Sequence, residues 1–119
     1  MTDVFVFGSN REGRHGRGAA RTAVLHHGAL YRQAKGRQGN SYAIVTKELR
    51  PNQPPVTLEE VRKGVDEFLA YAEANPGTTF TLTPIGTGLA GFKVDQIEPL
   101  FAFAPANVRQ PDWGKLRQR

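Results

Sequence analysis

A short apolar run and a threonine-rich run in this chain each break directly into a glycine-rich stretch, and that pairing limits the fold more than any other feature. Val4-Phe-Val-Phe7 gives way to Gly8-Ser-Asn-Arg-Glu-Gly-Arg-His-Gly-Arg-Gly18. Thr78–Thr83, rich in Thr with Phe80 and Leu82 between, gives way to Pro84-Ile-Gly-Thr-Gly-Leu-Ala-Gly-Phe92. A short continuous apolar run ended by glycine reads as a strand buried on both faces. Helices must then cover both sides of the sheet, so the class is α/β.

The remaining segments fit that frame. Asp3–Phe7 is expected as the first strand. Ala19, Ala20, Ala23, Val24 and His27 share one helical face, so a helix is expected over Gly18–His27, stopped by Gly28. Residues 32–40 read as loop and Ser41–Thr46 as the second strand. Thr57-x-x-Glu60 forms a capping box at the start of a helix with the buried stripe Val61, Val65, Phe68, Leu69 and Ala72. Asn75-Pro76-Gly77 ends it. After the third strand, Thr78–Thr83, and the second glycine run, Asp95 is expected to cap a last helix reaching about Phe103, with Pro99 in its first turn. Asn107–Arg109 reads as a short edge strand, and the basic tail from about residue 110 as a surface or frayed segment. Residues 1–119 carry no linker or repeat, and one domain is expected.

Strands alternating with helices imply a mainly parallel sheet with right-handed crossovers. Ligands bind such sheets outside the carboxyl ends of the strands. Gly8–Gly18, Lys47–Arg50 and Pro84–Phe92 all leave strand carboxyl ends and should meet there. Glycine lets backbone N–H groups approach a ligand, and a helix N-terminus favours an anion. The first run is neither a P-loop, because no Gly-Lys-Ser/Thr follows, nor a dinucleotide fingerprint, because its spacing is G-x-x-G-x-G. Two such runs at neighbouring strand ends suggest a diphosphate held from both sides. The candidate ligand-binding residues are Gly8, Ser9, Asn10, His15, Gly16, Gly18, Thr46, Lys47, Gly86, Thr87, Gly88, Leu89, Ala90, Gly91 and Phe92. Asn10 can bond a ribose or orient a water, or serve simply as a turn residue. His15 is expected to be solvent-exposed, with phosphate contact or acid–base work as the alternative. Lys47 can pair with a phosphate or, partly desolvated, act as a nucleophile; the plain alternative is a surface lysine. His26 and His27 sit near a helix C-terminus, where cations are favoured, and with His15 make no metal set.

Charge narrows the ligand class. Residues 1–50 hold nine Lys/Arg against three acids, and residues 51–104 hold three against seven. A basic half that also carries glycine runs suggests an anionic ligand. With no cysteine there is no disulfide scaffold, thiol nucleophile or Cys-ligated metal. The start of the chain lacks a signal-peptide pattern and no run is long enough to span a membrane, so a cytoplasmic location is expected.

The order of an early strand ending near Asn10, Gly16-Arg-Gly-Ala-Ala20 opening a helix, Ile44-Val-Thr-Lys47, and Pro84-Ile-Gly-Thr-Gly-Leu89 resembles the macrodomain family over roughly residues 3–103. It looks nearest to the small branch of ADP-ribosyl-glutamate hydrolases, and to small uncharacterised phage and bacterial proteins. The resemblance implies a small three-layer macrodomain-like α/β fold with a mainly parallel sheet flanked by helices. It also implies an ADP-ribose pocket needing no metal or cofactor, and removal of ADP-ribose from proteins. In that branch a lysine attacks the ribose, matched by Lys47, with Asn10 the other candidate catalytic residue. The branch's acid, just after Gly-Leu, is replaced here by Ala90, and the adenine-contacting acid has only Asp3 or Glu12 as substitutes. The expectation is therefore binding of ADP-ribose or a related nucleotide, with hydrolysis as an adjunct. The rival readings are a basic nucleic-acid-binding protein and a Rossmann-like nucleotide module outside the macrodomains.

Overall fold

A computed structural model describes residues 2–118. Its elements in chain order are β1 (Thr2–Asn10), α1 (Gly18–His26), β2 (Gly36–Gln38), β3 (Ser41–Lys47), α2 (Leu58–Glu73), β4 (Thr78–Leu82), α3 (Val94–Ile97, continuing as a 3-10 turn over Glu98–Phe101), β5 (Val108–Arg109) and α4 (Trp113–Arg117). They build one five-stranded sheet in the order β2-β3-β1-β4-β5. β1 pairs in parallel with β3 and β4, β4 in parallel with β5, and β2 runs antiparallel to β3.

Right-handed crossovers fix the layers. The chain moves from β1 to β3 in one direction, which places α1 on one face. It then returns past β1 to β4 and on to β5, which places α2 and α3 on the other. The side chains agree. Phe7 and Ala43 pack with Ala20 and Ala23 of α1, whereas Val4, Val6, Ile44 and Phe80 pack with Val61, Val65 and Phe68 of α2 and with Ile97, Phe101 and Trp113. The result is a three-layer α/β fold. Alternate residues of β1 serve opposite layers, as a pleated strand requires.

α2 forms as the sequence predicts. Thr57 accepts the Glu60 N–H through its hydroxyl at 3.2 Å, and Val61, Val65, Phe68 and Ala72 are fully buried. The Phe68 ring lies 5.0 Å from Tyr42 and 5.4 Å from Phe80. β1 runs three residues past its expected end. Gly8 continues the strand because a Cβ there would stand 3.1 Å from the Thr46 hydroxyl, so glycine lets β1, β3 and the 84–91 turn close together. The last helix is also corrected. Its N-cap is Lys93, whose N–H donates to Gln96 Oε1 at 2.8 Å, and Pro99 shifts the chain to 3-10 geometry. Asp95 lies within the helix and accepts from Arg117 at 2.8 Å.

Two elements had no local sequence signal. β2 is held by pairing with β3 and by its buried Gln38, whose amide accepts from Leu30 N and donates to the Gln33 carbonyl. The tail, expected at the surface or frayed, folds as α4. Asp112 accepts the Lys115 N–H at 3.0 Å, Trp113 is buried in stacked contact with Phe101, and Arg117 pairs with Asp95 and Glu98. Among the described residues no helix is long and apolar enough to cross a membrane.

Candidate functional site

The chain leaves β1 toward β3 on one side and arrives from α2 at β4 on the other, so the carboxyl ends of β1 and β4 form a topological switch point. Loops diverge there and leave a crevice. A cleft of about 570 Å³ occupies it, lined by the ends of β1 and β3, the start of α1, the turn after β4, and Leu116 of α4. That volume suits a nucleotide-sized ligand.

The backbone supplies donors from two sides. α1 opens at Gly18, whose φ of +58° favours glycine, and has no side-chain cap and no acidic residue in its first turn. Its first N–H groups, at Gly18, Ala19 and Ala20, lack intrahelical partners, and these residues line the cleft. Across the cleft, the N–H groups of Gly88, Leu89 and Ala90 meet no acceptor among the described residues. A Cβ on Gly16, Gly18 or Gly88 would meet nothing within 4 Å, so the cleft stays open beside them. Gly86 differs. A Cβ there would press Phe92 and Ile97 at 3.3 Å, and its φ is +73°, so it shapes the turn and its packing.

The charged lining is one-sided. Arg14, Arg17 and Lys47 are its cations, and among the described residues it includes no carboxylate. Arg14 lies 3.5 Å from Glu12, and the Arg17 guanidinium has no partner among the described residues. Lys47 Nζ donates to the Leu89 carbonyl at 3.2 Å, a bridge from the end of β3 to the second glycine turn. Its sequence neighbour Glu48 is turned into a separate cluster. The Glu48 side chain is 2% exposed and pairs with Arg50 at 2.9 Å and Arg11 at 3.1 Å. Hydrogen bonds from Arg50, then its N–H and Arg11, hold the Glu48 carboxyl at a pKa of about 2 against the opposing cost of burial. It is an ionised structural acid.

Of the candidate residues, Gly8, Ser9, Asn10, Gly16, Gly18, Thr46, Lys47, Gly86, Thr87, Gly88, Leu89 and Ala90 line the cleft. Several are already engaged. Asn10 donates to the Arg14 carbonyl at 2.8 Å and accepts the Arg14 N–H at 2.9 Å, which closes the first glycine loop. The Ser9 hydroxyl donates to the Ala34 carbonyl and the Thr46 hydroxyl to that of Ser9. His15, Gly91 and Phe92 are not in the lining. The exposed histidine expected at 15 is instead 2% exposed: Nε2 lies 2.9 Å from the Gln33 carbonyl and the ring packs edge-on to Phe7. It is a wedge under the loop. Asp95, with a side chain 77% exposed, is tied to Arg117.

Arg14, Arg17, Leu49 and Leu116 line the cleft as well, although the sequence did not mark them. The two arginines interleave the glycines, a visible signal. Leu116 reaches the cleft only because α4 docks. Among the described residues no group of three or more His, Asp or Glu is placed to hold a metal ion.

No family model matches the chain, and no curated protein matches it. Among solved structures it is similar to a protein of unknown function from Bacteroides thetaiotaomicron, with 18% identity and a TM-score of 0.65 over 92% of this chain and 88% of that one. The likeness is one of fold.

Proposed function

We propose that the cleft binds ADP-ribose or a related phosphate-bearing nucleotide, with the diphosphate between the start of α1 and the 84–91 turn. One observation carries this reading: Gly18–Ala20 and Gly88–Ala90, residues with unpaired backbone N–H groups, line a cleft with three cationic side chains and, among the described residues, no carboxylate. Backbone donors and cations with no competing acid suit a dianionic bridge. The family resemblance narrows that class to ADP-ribose, and a Rossmann-like module for another nucleotide is the rival.

Binding is favoured over hydrolysis. A lysine attack on ribose needs a group to move protons. Ala90 stands at the family's acid position, Glu48 is held ionised by two arginines, and Asp95 is bound to Arg117. Calorimetric titration with ADP-ribose, ADP and NAD tests the reading. Gly88→Val should cut ADP-ribose affinity more than tenfold. Its melting temperature should stay unchanged, because a Cβ there meets nothing and the backbone is outside the left-handed region. Equal affinity in a folded Gly88→Val protein would remove the cleft from consideration.

A further inference from the structure

Charge is unevenly shared along the chain. Residues 13–47, which supply α1, β2, β3 and the loops around them, contain seven Lys/Arg and no Asp or Glu, and of these Lys35 and Arg37 reach to Glu67 and Tyr71 of α2. The opposite layer holds the acids: Glu59, Glu60, Asp66, Glu67 and Glu73 on α2, with Asp95 and Glu98 on α3 and its extension. Several cations elsewhere are neutralised. Arg62 pairs with Glu59 and Asp66, Arg11 with Glu48 and Glu60, and Arg117 with Asp95 and Glu98. On the α1 layer, Arg17, Arg21 and Arg32 are exposed and have no side-chain partner among the described residues.

All three arginines belong to α1 or to segments tied to the first glycine loop. Arg21 is one helical turn beyond Arg17 on α1. Arg32 is brought to the first glycine loop by backbone contact, its N–H donating to the Gly13 carbonyl at 2.7 Å. A Cβ on Gly13 would lie 2.5 Å from the Arg32 carbonyl carbon, so only glycine admits this approach. Beside Arg32, Tyr31 is 57% exposed, with its ring 6.4 Å from that of buried His15. The α1 layer therefore presents three unpaired guanidinium groups and an exposed aromatic ring, and Arg14 and Arg17 line the cleft.

We propose that this α1-layer surface docks single-stranded nucleic acid, with Arg17, Arg21 and Arg32 on backbone phosphates and a base stacked on Tyr31. Unpaired arginines supply the salt-dependent attraction, and an exposed aromatic ring supplies a sequence-tolerant stacking platform. Exposed Leu25 and Leu30 lie nearby, which makes an anionic membrane the competing surface. The charge runs into a concave cleft edge, a shape suited to a strand.

The test is fluorescence anisotropy of a labelled oligothymidylate with the full chain over a salt series. Binding should weaken steeply with salt. Arg21→Ala with Arg32→Ala should lower the slope of log affinity against log salt by about 1.4, at about 0.7 for each single-strand phosphate that is no longer neutralised. Tyr31→Ala should weaken binding roughly tenfold. Gly88→Val should leave oligonucleotide binding intact, which separates this surface from the nucleotide reading of the cleft. Arg62→Ala, on the opposite layer, is the control. The proposal is overturned by no binding at about 50 mM salt, where phosphate attraction is strong, by an equal loss in Arg62→Ala, or by capture on phosphatidylserine vesicles with the oligonucleotide ignored.

Discussion

Lys47 shows how one side chain can look like a nucleophile and act as a brace. It ends β3, lines the cleft and donates to the Leu89 carbonyl, with no carboxylate among the described lining residues to take a proton. Under the proposed function it should matter through its charge. Lys47→Ala should weaken ADP-ribose binding about tenfold to a hundredfold, the range for losing a charged hydrogen bond. Lys47→Arg should bind within a few-fold of wild type. Wild type should release no ADP-ribose from modified protein in a lysine-dependent way. Calorimetry and a release assay on the three proteins check this; rapid release that vanishes in Lys47→Arg would refute it. Asn10 follows the same logic. Both ends of its amide hold Arg14, so its position is fixed by the loop it closes before any ligand arrives.

At the level of elements, legibility in the sequence follows locality. β1, α1, β3, α2 and β4 each carry their own apolar pattern, with glycine, a capping box or Asn-Pro-Gly at their ends, and all are found close to their expected spans. β2 and α4 lack such patterns. Gly36-Arg-Gln38 becomes a strand because β3 offers an edge, and the tail becomes a helix because Trp113 finds Phe101. The site divides the same way. Both glycine runs and the end of β3 were legible, because they follow strands directly. Leu116 and the burial of His15 depend on docking between distant segments and were not. α4 should therefore contribute stability as a packed element. Trp113→Ala is expected to cost about 3 kcal/mol, as for other buried large-to-small changes. Urea unfolding measures it, and a cost below about 1 kcal/mol, typical of surface substitutions, would mean that the helix is a loose surface segment.

Across the whole molecule, one ion network joins segments far apart in sequence. Arg11 after β1, Glu48 and Arg50 after β3, and Glu60 on α2 lock the strand ends to the α2 layer. Glu48 has its pKa lowered from 4.5 to about 2, so its contribution to stability is complete above about pH 4.5 and is lost as pH falls toward 2. Glu60, also lowered, chiefly by Arg11, acts in the same direction. Thermal unfolding between about pH 6 and pH 2 should show stability falling in that window, and Glu48→Gln should flatten the fall while lowering stability at the upper end. An unaltered pH profile in that variant would count against the network. The strand order has a separate consequence for the growing chain. β1 leaves the ribosome before β3 and β4, its partners. Until residues 41–47 and then 78–82 have been made, Val4-Phe-Val-Phe7 has strand edges with no mate. Synthesis of this protein thus passes through a stage at which its central strand is a template for pairing between nascent chains, a hazard that ends only when β4 closes the second edge.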